Sequence, residues 1–337
     1  MSRKKVILIT GSSGEIGQNL INYFNQETSS TIISLDLNPI DKPKKVKEHI
    51  IGSILDKKLL DDINQNFKID EIYHLAAMLS TKAQQNPILA NDVNVNGTLN
   101  LINLSINQII CNKAPIKFFF PSSIAVYGLD SRLNNNPIKE NEYLNPKTIY
   151  GMNKLYCEQL GSYFVENYYK SSKDLIKGLF DFRSIRFPGL ISVNTKPTGG
   201  TSDYIPEMLH CAAEKKDYIC FVRSDSKLPF MVMPDAIKSI IELMYVEKSE
   251  LSQLIYNVSS FNPSVDTFFK KLKTYYEDFN ISYEISHKRQ EMVDGWPSDV
   301  DVSRSDYDWG WSPKYDFDKA FSEYFIPNLK NIKNYEA

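Results

Sequence analysis

The chain is poor in the residues that staple or metallate small folds. Of its 337 residues only four are cysteine (Cys111, Cys157, Cys211, Cys220) and four histidine (His49, His74, His210, His287). No CxxC pair, HExxH or mixed Cys/His ligand spacing occurs. This argues against a metal site and for free thiols in a reducing, cytoplasmic setting. An excess of charge of one sign is also missing: 39 Lys+Arg stand against 41 Asp+Glu, a formal net charge of −2. That balance argues against a nucleic-acid binder or a polybasic membrane-surface protein. No apolar run reaches the ~18 residues of a membrane helix. The N-terminus enters Val6-Ile7-Leu8-Ile9-Thr10 without a secretory pattern. A mitochondrial address would require that a targeting peptide had been removed.

What remains is an ordinary globular composition, 42% hydrophobic and 24% charged, long enough for two domains. Short apolar runs alternate with helical periodicities through the first half. Strands are expected over Val6–Thr10, Thr31–Asp36, Glu71–Ala77, Lys117–Phe120 and Phe180–Arg186. Helical spacing runs through Ile16, Leu20 and Phe24, over about Ile88 to Asn107, and from Lys147 to about Tyr169. Alternation of this kind specifies a Rossmann-type α/β fold with a doubly wound parallel sheet. The pattern changes after Pro188. The expected division is a dinucleotide-binding domain over 1–192 plus about 231–260, and a smaller C-terminal α/β substrate-binding domain over 193–230 plus 261–330.

Four constellations carry chemistry. Gly11, Gly14 and Gly17 lie between the first strand and the first helix. There the backbone from Gly11 and Gly14 through Glu15 and Ile16 can approach a pyrophosphate at the helix N-terminus. The same spacing also occurs in ordinary glycine-rich turns. Asp36 closes the second strand, where a carboxylate accepts from the adenosine ribose hydroxyls and favours NAD over NADP. The Lys42–Lys47 run reads as a solvated loop. Asp56 either faces the adenine or starts a helix. Tyr150 and Lys154 are four apart and share one helix face. A nearby ammonium, together with an oxidised nicotinamide, favours the phenolate and lowers a phenol pKa from its usual ~10. Alone, such a pair is also a common surface arrangement. Ser123 follows the Phe-rich strand, placed either to hydrogen-bond a substrate oxygen or to cap a turn.

In this order, Gly11/Gly14/Gly17, Asp36, His74-Leu75-Ala76-Ala77, Asn94-Val95-Asn96-Gly97-Thr98, Ser123 and Tyr150/Lys154 resemble the extended short-chain dehydrogenase/reductase superfamily. The resemblance implies a bound nicotinamide dinucleotide, contacted also by Leu75, Ala76, Ala77 and Asn94, and a Ser–Tyr–Lys catalytic set. Further matches are Met78-Leu79-Ser80-Thr81, Arg186-Phe187-Pro188-Gly189, Thr198-Gly199-Gly200-Thr201-Ser202-Asp203-Tyr204, Leu228-Pro229-Phe230, Gly295-Trp296-Pro297 and Asp308-Trp309-Gly310-Trp311. With these the chain is similar to the short-chain-type L-threonine 3-dehydrogenases along nearly its whole length.

That similarity implies NAD-dependent oxidation of the L-threonine 3-hydroxyl, with Tyr150 as base. It implies an amino-acid site built from Ser80, Ser123, Tyr150, Gly199, Thr201 and Trp296, with Trp296 also readable as core. It also implies a homodimer formed by the Tyr150/Lys154 helix and the helix near Ile88–Asn107. Ser123 stands where threonine is usual, Thr198 where glycine is usual and Gly295 where serine is usual; Ser12-Ser13 replaces a common Gly-Leu. Two other readings stay open. A UDP-hexose 4-epimerase shares the fold and catalytic set, but a pyrophosphate-bearing substrate needs cationic clamps, and no cation lies between Thr198 and Tyr204. A dinucleotide-sensing protein would bind NAD and turn over nothing.

Overall fold

The computed structural model describes residues 3–26, 30–40, 46–130, 137–172, 177–197 and 199–332, with side chains through 329. Thr198, the Asn134–Asn136 loop and most of the Lys42–Lys47 run lie outside the described residues.

In chain order the elements are β1 (Lys5–Thr10), α1 (Glu15–Gln26), β2 (Ser30–Asp36), β3 (Val46–Ile51), α2 (Lys57–Asn66), β4 (Glu71–His74), α3 (Ser80–Gln85), α4 (Pro87–Asn91), α5 (Gly97–Asn112) and β5 (Ile116–Ser123). There follow α6 (Ile149–Tyr163), α7 (Tyr169–Ser171), β6 (Phe180–Phe187), β7 (Gly189–Ile191), α8 (Tyr204–Ala213), β8 (Tyr218–Cys220), β9 (Phe230–Val232), α9 (Met233–Tyr245) and β10 (Ile255–Asn257). The last elements are α10 (Val265–Lys273), β11 (Ile281–Tyr283), α11 (His287–Asp294), α12 (Ser303–Trp309), α13 (Phe317–Lys319) and α14 (Ile326–Ile332). Two compact units result. The first holds Met1–Ser122, Ile149–Ile185 and Ile240–Tyr256; the second holds Ser123–Thr148, Arg186–Ser239 and Asn257–Ala337.

The main sheet has seven strands in the order β10-β6-β5-β4-β1-β2-β3. β1 pairs parallel with β2 and β4, β2 with β3, and β4 with β5. β4 and β6 are buried along their whole length, as parallel strands covered by helices on both faces must be. This gives the expected Rossmann-type sheet. Its boundaries differ in places. The third expected strand stops at His74, and β5 runs on through Pro121-Ser122-Ser123. β3 was not legible: Val46-Lys47-Glu48-His49-Ile50-Ile51 alternates no clear apolar face, since an edge strand is half solvated. The expected helix near Ile88–Asn107 is α4 and α5 joined by a π-helical turn over Asp92–Asn96.

Leu8, Ile33, Ile72, Phe118 and Phe182 belong to the core of the first unit. Phe118 stacks on Phe182 with centroids 5.9 Å apart.

The second unit carries two short parallel pairs, β7 with β9 and β8 with β11, and an aromatic cluster of Phe268, Phe317, Phe321 and Phe325. Residues 123–148, 186–192, about 231–239 and 257–260, expected on the cofactor side, fall in the second unit. Polar bonds tie several of them in. Buried Arg186 donates to Tyr127 Oη (2.9 Å) and to Glu140 O (2.6 Å), and Tyr127 Oη donates to Asn257 Oδ1 (2.7 Å).

Candidate functional site

The first unit gathers the cofactor-side residues at the C-terminal ends of β1, β2 and β4, the edge where open α/β sheets bind ligands. Gly11 has φ +68°, and a Cβ there would stand 2.6 Å from the Ala76 backbone N. The loop therefore needs glycine to pack on the Leu75–Ala76 backbone. Gly11 N donates to Leu35 O (2.9 Å), Gly14 N to Gly11 O (3.1 Å) and Leu75 N to Thr10 O (3.1 Å).

Asp36 Oδ2 accepts from Ser13 N (2.9 Å) and Oδ1 from Asn38 N (2.9 Å). Its carboxylate thus ties the end of β2 to the glycine loop and keeps lone pairs for a further donor.

The residues present fit a dinucleotide. α1 opens at Glu15 with the donor-rich N-terminus that such groups use. A Cβ on Gly14 would meet only Gly11 O, at 3.2 Å. Ser12 Oγ is buried with no partner among the described residues.

Asp56 does what its second reading says: it is exposed and caps α2, accepting from Leu59 N (3.1 Å). Asn94, in the π-helical turn, is buried and grips the Met78 backbone from both sides. Its Oδ1 accepts from Met78 N (2.7 Å) and its Nδ2 donates to Met78 O (3.1 Å). This fixes the approach to Ser80, which opens α3 half-buried.

On α6, Tyr150 is half-buried and Lys154 buried. Lys154 Nζ donates to Pro121 O (2.6 Å), lies 4.5 Å from the Phe120 ring centroid and 5.6 Å from that of Tyr150. One turn on, buried Glu158 accepts from Ser122 Oγ. Two consecutive residues of β5 are thereby stapled to α6.

Burial pushes Lys154 down to about 8, opposed by Cys157 and Glu158. Burial pushes the Tyr150 phenol up to about 12. The chain alone therefore does not produce the lowered phenol expected from the sequence: desolvation wins, because Lys154 spends its closest contact on Pro121 O.

A relay that the sequence did not reveal lies beneath. Thr98 Oγ1 donates to Asn94 O (2.6 Å), so it accepts from His74 Nε2 (3.0 Å), and His74 Nδ1 accepts from Thr10 Oγ1 (2.8 Å). Burial, and then Lys154, push His74 down to about 3; it is a neutral spacer between β1, β4 and α5.

The second unit holds the remaining candidates. Ser123 Oγ accepts from Ala125 N (3.2 Å), capping a 3-10 turn, and keeps its own proton to donate. Gly199 has φ +90°, and a Cβ there meets nothing within 4 Å. Thr201 and Trp296 are buried. Gly200 N donates to Asp203 Oδ2 (2.6 Å). Trp309 and Trp311 are buried with centroids 5.6 Å apart, the packing role expected of them. The four cysteines are free thiols. Among the described residues no His/Cys/Asp/Glu group could hold a metal ion, and no helix is long and apolar enough to cross a membrane.

Residues 7–259 match the profile of the NAD dependent epimerase/dehydratase family, and the chain belongs to that family. It is 32% identical to an uncharacterised epimerase/dehydratase of Staphylococcus saprophyticus over 93% of each chain. It is 31% identical to the mitochondrial L-threonine 3-dehydrogenase of Bos taurus, covering 93% of this chain and 79% of that one. A solved monomeric L-threonine 3-dehydrogenase from a metagenome superposes with a TM-score of 0.85 at 35% identity, covering 97% of this chain and 99% of that one.

Proposed function

We propose that the chain is an NAD-dependent L-threonine 3-dehydrogenase acting in L-threonine breakdown in the cytoplasm. The observation that carries this reading is the buried Lys154, pinned to Pro121 O one helical turn from Tyr150. The similarity to L-threonine 3-dehydrogenases over nearly the whole chain supports the substrate.

In this reading Gly11, Gly14, Glu15 and Ile16 face the pyrophosphate of NAD. Asp36 takes the adenosine ribose, and Leu75, Ala76, Ala77 and Asn94 line the remainder. Ser80, Ser123, Gly199, Thr201 and Trp296 receive the amino acid; all of them but Ser80 belong to the second unit. Ser123 donates its free proton to the substrate oxygen. Tyr150 takes the proton of the 3-hydroxyl; with the C3 hydride passed to the cofactor, the product would be 2-amino-3-ketobutyrate. Lys154 supplies the charge that favours the phenolate, and Glu158 opposes loss of that charge. NAD, when bound, would supply the hydride acceptor and a positive charge that favours the phenolate, adding to Lys154 against the desolvation that holds Tyr150 up in the chain alone.

A homodimer is part of the proposal. Ile88 (82% exposed), Met152, Tyr156 and Tyr163 leave apolar side chains of α4 and α6 open to solvent, and a second copy would bury them. Sedimentation that finds an active monomer would remove the dimer and leave the chemistry standing.

The test is absorbance at 340 nm with purified protein and NAD, offering L-threonine, L-serine, L-allo-threonine and UDP-galactose in turn, with NADP as the cofactor control. NADH formation with L-threonine and NAD is expected. Silence there, with UDP-galactose converted to UDP-glucose, would replace the reading by an epimerase.

A further inference from the structure

We propose that Arg289 is a positioning residue that latches the Gly199–Thr201 loop in its substrate-receiving form. The inference rests on the proposed function, which places the amino acid at that loop.

Gly199 sits at φ +90° with open space where a Cβ would be. Three polar bonds, two from Asp203 nearby and one from far along the chain, meet at Gly200. Its N–H donates to Asp203 Oδ2 (2.6 Å), within the loop. Its carbonyl accepts from Asp203 N (3.2 Å), also within the loop, and from Arg289 Nη2 (2.5 Å), 89 residues away on α11. The guanidinium carbon lies 3.2 Å from the Phe221 ring centroid, which sets the plane from which that bond is made. Glu207 of α8 is near enough to Arg289 to feel its charge, and Tyr218 Oη donates to Glu207 Oε2 (2.7 Å).

The site therefore uses properties specific to arginine: a planar cation that stacks on an aromatic face while directing an N–H along its edge. Thr201, the next residue, has its side chain buried. Locking the Gly200 carbonyl fixes the peptide that leads into it. Ordering the loop before substrate arrives removes an entropic cost from substrate binding. The effect belongs to amino-acid affinity and not to NAD, whose glycine loop is built within the other unit.

The experiment compares wild type, Arg289→Met and Arg289→Lys. Steady-state rates are measured with L-threonine and NAD varied separately, alongside NAD binding by calorimetry and amide hydrogen exchange over residues 199–203. A charge-assisted bond of this kind leads us to expect KM for L-threonine to rise tenfold or more in Arg289→Met. Over the same change kcat should move less than threefold and the NAD affinity should stay unchanged. Arg289→Lys keeps the charge and loses the stack, so it should recover only part of the loss.

An unchanged KM for L-threonine, or a parallel loss of NAD affinity, would overturn the latch. If wild type binds NAD but leaves L-threonine untouched, the proposed function fails and hydrogen exchange decides the latch alone. Exchange at least tenfold faster in Arg289→Met would keep it, and equal exchange would reject it.

Discussion

Two glycine turns, one in each unit, are held by different means. At Gly11 the backbone is left-handed, at φ +68°, and packed: a Cβ would strike the Ala76 and Leu75 backbone. At Gly199 the backbone is also left-handed, at φ +90°, and nothing lies within 4 Å of the same position. The first turn packs on neighbouring backbone, and the Asp36 carboxylate ties its Ser13 N–H to the end of β2. At the second, bonds from the Asp203 side chain and backbone and from the distant Arg289 meet at Gly200. A dinucleotide presents the same diphosphate at every turnover, so a packed cradle suits it. A loop that receives a small amino acid gains from bonds that can be tuned one residue at a time.

The sharpest way to test that division is to remove chemistry on the first side without touching the cradle. Tyr150→Phe keeps the ring on α6 and deletes the proton acceptor. Turnover of L-threonine should fall by 10²–10⁴-fold with NAD binding unchanged, as loss of a positioned base predicts. Activity within a few-fold of wild type would take Tyr150 out of its role.

Next in size, Gly11→Ala adds a left-handed penalty of about 1–2 kcal/mol to an overpacking cost of about 1–3 kcal/mol. Because the obstructing atoms are backbone, the neighbours have little room to yield. Chemical denaturation should show a loss of about 2–5 kcal/mol and calorimetry the loss of NAD binding.

A third effect isolates the relay under the cradle. His74 titrates near 3 in the folded chain against 6.5 ordinarily. Between those values the unfolded chain binds a proton that the folded chain refuses. Stability therefore falls as pH drops from about 6.5 toward 3, by about 1.4 kcal/mol per pH unit from this group. Between pH 7 and pH 5 wild type should lose about 2 kcal/mol more than His74→Asn, read from urea midpoints.

The smallest effect is at the open turn. Gly199→Ala meets no neighbour, and its left-handed cost of about 1–2 kcal/mol is partly offset by a stiffer unfolded chain. It should shift stability by about 1 kcal/mol and leave NAD affinity alone. A large loss, equal to that at Gly11, would erase the contrast between the two turns.

The first unit was largely legible because its signals are local. β1 leads straight into Gly11, Gly14 and Gly17; Asp36 ends β2; Tyr150 and Lys154 share one helix turn. What the sequence hid are contacts between residues far apart in the chain. Thr10 and His74 are 64 residues apart, Ser122 and Glu158 are 36 apart, and Arg289 and Gly200 are 89 apart. No spacing announces such pairs, because the fold brings them together. The direction of the Tyr150 shift was hidden for the same reason: burial depends on how tightly the surrounding elements pack, and the ring's neighbour Lys154 points its ammonium at Pro121 O. β3 was missed because an edge strand with Lys47, Glu48 and His49 at its centre carries no continuous apolar face.

The central claim is that hydride leaves C3 of L-threonine for a nicotinamide held by the first unit. L-Threonine deuterated at C3 tests it directly, with mass spectrometry of the reduced cofactor and initial rates against the unlabelled substrate. The account predicts NADH heavier by one deuterium, formed by wild type and at least about a hundredfold more slowly by Tyr150→Phe. Unlabelled NADH, or no reduced cofactor from wild type that binds NAD, would contradict it.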